Sequence, residues 1–284
     1  MIRLIFLSLF FISVSSKSYH TTDVLLTRIK MKCALVPELS CTMHDDILVV
    51  DYNKDLQETR DLLVVFNEHA RERVTGELAL HFIHRLQRWK PKKRITIIPV
   101  LNVFGRKEVE NGHPCKRKNK NNVDTNRNYQ MQNINQHRYK KGSEEYEGPY
   151  PLSEKESKLV SSLLLEGTER YINVHSGEKS IYMPYDSRVS KRPHNYETME
   201  KNIHKWAKKC RECNVGPAAT TSFYKAYGTS VDWAVDHGIP EAYTFEIYGT
   251  ANYDCNKMFN PSRRDLLTVL NQWSGILKDV LSSA

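Results

Sequence analysis

Residues 62–89 read LLVVFNEHARERVTGELALHFIHRLQRW, and this stretch decides the fold class. Its first five residues are a short apolar run, which predicts a fully buried strand. From Val74 to Trp89, apolar residues recur at helical spacing, so we expect a helix that presents one face to a core. A buried strand followed at once by an amphipathic helix is the unit from which parallel sheets are built.

The same two patterns recur along the rest of the chain. Apolar runs predict further strands, at 95–101, 171–174 and 242–247. Helical periodicity predicts a C-terminal helix over 266–281, and Ser153 to Glu156 resembles a capping box that opens a helix through Leu165. The alternation predicts an α/β fold: a single-domain, mixed, largely parallel twisted β-sheet covered by helices on both faces. In such sheets, functional side chains gather beyond the strand ends.

The N-terminal segment, residues 1–16, resembles a secretory signal. Arg3 precedes the apolar stretch LIFLSLFFISV, and small residues follow before Lys17. Because this apolar stretch is too short to span a bilayer, we expect no transmembrane anchor. We therefore expect a mature single domain, residues 17–284, that is secreted or lies in the lumen of the secretory or lysosomal–vacuolar pathway.

The cysteine count and the charge distribution indicate disulfide bonds and argue against nucleic-acid binding. The six cysteines predict up to three disulfides with fifteen possible pairings. Cys210-Arg-Glu-Cys213 has the spacing of half a zinc ribbon, but no second such pair occurs, which favours a structural disulfide. Much of the net charge of +9 lies in Lys116–Lys120 and Arg138–Lys141. Such clustering alone is a weak signal for polyanion binding, and no base-reading motif accompanies it, so we expect no nucleic-acid partner.

Two residues that can bind a metal lie where the first predicted strand meets its helix. His69 and Glu72 are three residues apart, a spacing that lets both side chains converge on one point. A third protein ligand and a water molecule would complete the catalytic zinc pattern of two histidines and one carboxylate. His175 and Glu246 lie near the ends of two other predicted strands.

The segment NEHARE, residues 67–72, resembles the zinc-binding segment of the metallocarboxypeptidases, the carboxypeptidase A and B-like enzymes. Further segments similar to that family follow in order: PVLNVFG (99–105), VDTNRNY (123–129), NVHSG (173–177), YKAYGTSVDWA (224–234) and YTFEI (243–247). The resemblance covers about residues 19–284 and is closest to a plant and protist branch, in which MPYD and DC-x-KMFNP-like residues recur.

The resemblance implies one Zn²⁺ ion with three protein ligands: His69, Glu72 and His175. It also implies that Asp124 orients one ligand imidazole and that Glu246 is the general base. Arg117 would stabilise the developing oxyanion. Lys120 is the alternative to Arg117 if the loop follows the pancreatic enzymes.

The implied substrate is the C-terminus of a peptide or protein, from which single residues are released. The donors of an arginine match both oxygens of a terminal carboxylate. The resemblance implies that four residues bind the substrate: Asn126, Arg127, Tyr224 and Arg71.

Two positions that set specificity in the family point in different directions. Asp186 resembles enzymes that accept C-terminal Lys or Arg, whereas Val231 resembles carboxypeptidase A-like pockets. We favour a basic residue, because a buried carboxylate needs a cationic partner, although a neighbour such as Arg188 is an alternative partner. A preference for apolar C-terminal residues and a non-catalytic binding protein are the other readings. Retention of all three ligand positions and of Glu246 argues against a non-catalytic binding protein. We also expect a monomer.

Overall fold

The computed structural model describes residues 19–129 and 139–283, so the predicted signal segment, residues 1–16, lies outside the described residues. The strands are β1 (Leu39–His44), β2 (Ile47–Tyr52), β3 (Leu62–Phe66), β4 (Ile95–Ile98), β5 (Arg170–His175), β6 (Lys179–Met183), β7 (Asn214–Pro217) and β8 (Glu241–Ile247). The helices are α1 (Thr22–Leu35), α2 (Arg73–Trp89), α3 (Val103–Glu110), α4 (Lys155–Leu165), α5 (Tyr196–Ala207), α6 (Ala218–Thr221), α7 (Ser230–Asp236), α8 (Cys255–Phe259) and α9 (Arg263–Ser282). A 3-10 turn spans Thr125–Arg127.

All of these strands form one sheet in the order β1-β2-β4-β3-β5-β8-β6-β7. The four central strands, β4, β3, β5 and β8, run parallel to one another. Strands β2 and β6 pair antiparallel with the two edges of this parallel core, while β7 pairs parallel with β6. The predicted α/β class with a mixed, largely parallel sheet is thus confirmed.

Both faces of the sheet are buried, and the alternate residues of β3 explain its apolar sequence. Leu62, Val64 and Phe66 belong to one hydrophobic cluster, whereas Leu63 and Val65 belong to a second. Helices α1, α2, α5 and α9 contribute to the first cluster, and α4 and α7 contribute to the second. A strand covered on both sides cannot alternate apolar and polar residues, so the run LLVVF is continuous.

Helix α2 matches the predicted range, and its apolar stripe is buried as expected. Leu78, Phe82 and Ile83 are 0% exposed in the first cluster. The helix ends at Trp89, where Lys90 adopts a left-handed conformation and its N–H donates to the Leu86 carbonyl. The predicted C-terminal helix is also present, as α9.

The predicted strand 95–101 is three residues too long, because β4 ends at Ile98. Beyond that point the chain leaves the ladder and crosses the end of β3. The Leu101 N–H donates to the Phe66 carbonyl at 3.0 Å, which brings residues 99–102 next to the turn that follows β3.

The predicted capping box at Ser153 to Glu156 is wrong. In the described chain the N-cap residue of α4 is Glu154, which makes no side-chain cap. The Glu156 carboxylate instead accepts a hydrogen bond from Asn119 at 3.1 Å. The Glu156 side chain therefore makes a tertiary contact in place of the helix-capping bond that the local pattern predicted.

Three disulfides link Cys33 to Cys41, Cys115 to Cys255 and Cys210 to Cys213. The structure thus agrees with a disulfide rather than half a zinc ribbon at Cys210 and Cys213. The Cys115–Cys255 bridge joins the segment that carries Arg117 to the start of α8, across 140 residues of sequence. In the described parts of the chain, no helix combines the length and apolarity needed to cross a membrane.

Candidate active site

Three neighbouring parallel strands deliver the predicted site to one edge of the sheet. His175 is the last residue of β5 and lies in register with Glu246 on β8. Strand β3 ends at Phe66, and His69 and Glu72 follow in the turn before α2. Because parallel strands present their carboxyl ends at the same edge, the topology itself brings these residues together.

The turn between β3 and α2 is held by Asn67. Its φ of 52° lies in the left-handed region, which asparagine adopts more readily than most residues. Its side-chain amide donates to the His69 carbonyl at 2.9 Å, and its side-chain oxygen accepts from Arg106 at 2.8 Å. Since Arg106 is fully buried, this bond ties the turn that carries His69 and Glu72 to the protein interior.

The ligand atoms of His69, Glu72 and His175 lie within 4.8 Å of one another, and all three side chains are buried. We call these residues the metal cluster. Nδ1 of His69 is 2.8 Å from Glu72 Oε1, and Nδ1 of His175 is 3.0 Å from Glu72 Oε2. Two imidazole nitrogens and one carboxylate facing a common point are the donors of catalytic zinc sites, so the cluster fits a Zn²⁺ ion.

Asp124 connects the metal cluster to Arg117. Its Oδ1 lies 3.1 Å from His69 Nε2, and its Oδ2 accepts from Arg117 Nε at 2.8 Å. Burial alone would raise the pKa of Asp124, but Arg117, followed by Arg127, holds it well below its usual range. The carboxylate is therefore charged and can fix the orientation of the His69 ring.

Glu246 is half-buried beside the metal cluster, and one of its oxygens has no hydrogen-bond partner in the described part of the chain. Its Oε2 makes no hydrogen bond within the described residues. Burial raises the pKa of Glu246 well above its usual range; His175 opposes this effect, and Glu72 adds to it. A carboxylate with a free oxygen and a raised pKa is suited to accept and return a proton.

Arg127 faces a loop that we call the clamp loop, residues 222–228. Its Nη1 donates to the Asn126 carbonyl at 2.8 Å, and its Nη2 donates to the Tyr224 hydroxyl at 3.2 Å. Gly228 has a φ of 71°, and a side-chain carbon there would lie 2.3 Å from the Arg127 carbonyl oxygen. Glycine thus permits the close approach that brings Tyr224 to Arg127.

One cavity of about 530 Å³ contains most of the predicted residues. The predicted residues among its lining are His69, Arg71, Glu72, Arg117, Asn126, Arg127, His175, Asp186, Tyr224 and Glu246. Asp124 lies behind this wall and is 0% exposed.

Asp186 lines the cavity and does not form the ion pair with Arg188 that was considered from sequence. Arg188 instead pairs with Asp236, with 2.7 Å between Nη2 and Oδ2. Among the described residues, no lysine or arginine forms an ion pair with Asp186. Its backbone N–H donates to Asp232 Oδ1 at 2.8 Å, which brings two buried carboxyl groups together. Burial, followed by repulsion from Asp186, raises the pKa of Asp232 well above its usual range. Burial also raises the pKa of Asp186, so the two neighbouring carboxyl groups disfavour each other's ionisation.

The structure also shows where three other residues named from sequence lie: Val231, Lys120 and Arg71. Val231 is 1% exposed and packs in the second hydrophobic cluster, whereas Thr229, two residues earlier, and Thr244 of β8 line the cavity. Lys120 is exposed to solvent, while its rival Arg117 is buried at the cavity wall. Arg71 lies over the Phe259 ring at 4.3 Å.

A buried network behind His175 was missed by the sequence reasoning. Glu68 Oε2 accepts from Asn173 Nδ2 at 2.6 Å, and the same amide donates to Ser230 Oγ at 3.0 Å. The available signal was a second carboxylate next to His69 in NEHARE. Sequence periodicity does not show which way the Glu68 side chain points, so it could not predict this network.

A largely parallel sheet with a histidine–glutamate–histidine cluster at its carboxyl edge defines the class of α/β metallohydrolase folds. Residues 44–273 match the family model described as zinc carboxypeptidase. This chain belongs to the zinc carboxypeptidase family.

Curated relatives include carboxypeptidases of both the A and the B type. Carboxypeptidase B of Rattus norvegicus is 37% identical over 116 residues, which are 38% of this chain and 28% of that protein. Mast cell carboxypeptidase A of Mus musculus is 27% identical over 238 residues, 74% of this chain and 57% of that protein. The chain therefore spans between 28% and 57% of the length of these two relatives.

Solved structures share the fold at lower identity. Bovine thrombin-activatable fibrinolysis inhibitor, solved in complex with tick carboxypeptidase inhibitor, has a TM-score of 0.78 at 22% identity, over 93% of this chain and 96% of that chain. Carboxypeptidase A from Helicoverpa armigera has a TM-score of 0.81 at 20% identity, over 94% of this chain and 74% of that one. These likenesses show a common fold.

Proposed function

We propose that this protein is a zinc-dependent carboxypeptidase that removes single residues, preferentially Lys or Arg, from peptide C-termini. The observation that carries the proposal is the convergence of three groups in one cavity: the metal cluster, the uncommitted carboxylate of Glu246 and the Arg127 guanidinium. A metal site alone would suit many hydrolases, whereas the added arginine selects substrates with a free carboxylate.

The chemistry follows from where these side chains lie. His69, Glu72 and His175 would hold the zinc ion, which would supply polarisation of the scissile carbonyl and a more acidic attacking water. Glu246 accepts the proton of that water and returns it to the leaving amine. Arg117, whose Nη2 and Nε both bind Asp124, is held where it can stabilise negative charge on the carbonyl oxygen.

Selection of the terminal residue rests on the opposite side of the cavity. Arg127 binds the terminal carboxylate, and the Tyr224 hydroxyl lies close enough to cover it. Asn126 also lines the cavity, and its side chain is held by the Ser230 N–H, which donates to its side-chain oxygen at 3.0 Å; we propose that it contacts the same carboxylate. An amidated or internal residue would leave the buried guanidinium without its anionic partner.

Asp186 is the basis of the proposed preference for Lys or Arg. It is 7% exposed and lines the cavity without a lysine or arginine partner among the described residues. A buried carboxylate in that position is stabilised by a cation, which a basic C-terminal side chain provides.

We further propose that residues 1–16 are a secretion signal, that residues 17–284 are one catalytic domain, and that the enzyme is a monomer with one zinc ion. The three disulfides support an oxidising compartment. Membership of the plant and protist branch stays a prediction.

The test is peptide trimming by the purified protein. Matched peptides ending in Lys, Arg, Phe, Leu or Glu, with an amidated control, are incubated and followed by mass. We expect loss of single residues, fastest from Lys and Arg ends, which a chelator abolishes and amidation blocks. Faster release of Phe or Leu would replace the basic preference with a carboxypeptidase A-like one. No release from any free end by folded, zinc-loaded protein would favour a non-catalytic binding protein.

A further inference from the structure

Glu68 is a buried carboxylate that the mechanism above does not use. It is 1% exposed and lies in the turn directly before His69. Its Oε2 is 3.7 Å from His175 Nε2, and its Oε1 makes no hydrogen bond in the described chain. Within residues 19–129 and 139–283, His175 is the one ionisable group of opposite sign that forms an ion pair with it.

The metal cluster determines which nitrogen of His175 needs an acceptor. In the cluster, His175 presents Nδ1 to the common point, because that nitrogen lies 3.0 Å from both His69 Nδ1 and Glu72 Oε2. A metal ligand uses its lone pair, so the proton of the neutral ring must be on Nε2. That N–H is buried and therefore requires a hydrogen-bond acceptor.

Two groups lie near Nε2, and their chemistry distinguishes them. The Asn126 amide nitrogen is 3.4 Å away, but it is a donor. Its orientation is set by the Asn126 oxygen, which already accepts from the Ser230 N–H. Glu68 Oε2 is an acceptor, and its distance from Nε2 is less than an ångström longer than a hydrogen bond.

The partner of the other ligand imidazole provides an internal comparison. His69 has Asp124 at its Nε2, 3.1 Å away, but Arg117 pairs with that carboxylate. Glu68 has no such arginine among the described residues. Its negative charge is therefore available to the ligand ring itself, and a cation bound to the ring would offset the cost of burying it.

We propose that Glu68 is a positioning residue that accepts the Nε2–H of His175 and so fixes this ring as a zinc ligand. Each of the two ligand histidines then has its own carboxylate: Asp124 for His69 and Glu68 for His175. The inference rests on the proposed ligand set.

The test measures zinc affinity of the full purified chain by competition with a fluorescent chelator. We expect Glu68→Gln to weaken zinc binding about 10- to 100-fold. Asn173→Ala is the matched control, because it removes the partner of Glu68 at 2.6 Å and leaves the carboxylate near His175. Wild-type affinity in Glu68→Gln, or an equal loss in Asn173→Ala, would overturn the inference and leave Glu68 a structural partner of Asn173.

A second readout follows the ring protons of the zinc-loaded protein by NMR. Imidazole N–H protons bonded to carboxylates resonate downfield, so we expect one such signal to move in Glu68→Gln and a different one in Asp124→Asn. If Glu68→Gln does not fold, Glu68→Asp decides: unchanged affinity together with an unmoved signal would refute the role. Failure of the ligand set is recognised separately, because wild-type protein would then bind zinc no better than His175→Ala.

Discussion

The metal cluster and the clamp loop face the same cavity but are held very differently. His69, Glu72 and His175 are between 2% and 4% exposed and belong to strand ends or the turn before α2. In the clamp loop, Phe223 is 82% exposed and Tyr224 is 45% exposed. Under the proposed function, this difference means that the metal ligands are held rigidly before the substrate binds, while Tyr224, which would cover the substrate, stays open to solvent.

The largest effect is expected beside the metal cluster. Glu246→Gln should lower kcat about 100- to 10,000-fold, because it removes the group that moves the proton. Zinc content and melting temperature are measured alongside and should stay near the wild-type values, since the substitution preserves shape. A loss of kcat below tenfold would assign the proton transfer to another group and break the comparison.

Specificity should respond next. Asp186→Asn should lower the kcat/KM ratio of Lys-ended to Leu-ended peptides by about 30-fold, the equivalent of about 2 kcal/mol for a buried charge pair. Glu145→Gln is the matched control, because Glu145 also lines the cavity but is only half-buried. If both variants reduce the ratio equally, the preference arises from the overall charge of the cavity and not from Asp186.

The pH dependence of this preference follows from the same residue. Burial raises the pKa of Asp186, although a hydrogen bond from Thr229 and the charge of Arg127 partly oppose the shift. Asp186 attracts a cation only when ionised, so the Lys-to-Leu ratio should fall as the pH is lowered through its raised pKa. The fall should begin at a higher pH than for an ordinary aspartate. Ratios measured from pH 4 to 8 check this, and the ratio in Asp186→Asn should stay flat.

The smallest effect is expected on the exposed side. Tyr224→Phe removes a single neutral hydroxyl, which lies 3.2 Å from Arg127, so we expect a change of about 2- to 12-fold. It should appear mainly in KM, because the hydroxyl contacts the substrate terminus and not the scissile bond. A loss in kcat that matches Glu246→Gln would place Tyr224 in the chemical step and remove the distinction between the two sides.

The strands and helices of the core follow from local pattern, because periodicity directly reports burial. The run LLVVF and the stripe of α2 are continuous in sequence, so one segment holds all the information needed. The capping box failed for the opposite reason: Asn119, distant in sequence, recruits Glu156. Likewise, β4 ends early because Leu101 binds the end of another strand.

The site residues likewise fall into those that local sequence predicts and those that depend on contacts distant in sequence. Motifs identify His69, Arg127 and Glu246, and the topology brings them to one cavity. A motif position does not give the direction of a side chain, so the packing of Val231 in the core could not be foreseen. Nor does a motif position give a side chain's partners. Arg188 forms its ion pair with Asp236 and not with Asp186, because α7, which is distant in sequence, lies beside them.

The Cys115–Cys255 bridge also affects the unfolded state of the chain. In the loop-closure model, a bridge across 140 residues removes enough entropy from the unfolded state to stabilise the fold by about 5 kcal/mol. That contribution is of the order of the whole stability of many domains. A thiol-rich compartment would cancel it, and the wall that carries Arg117 would lose its covalent tie to α8. The redox state of the compartment that contains the chain therefore affects the stability of the cavity wall.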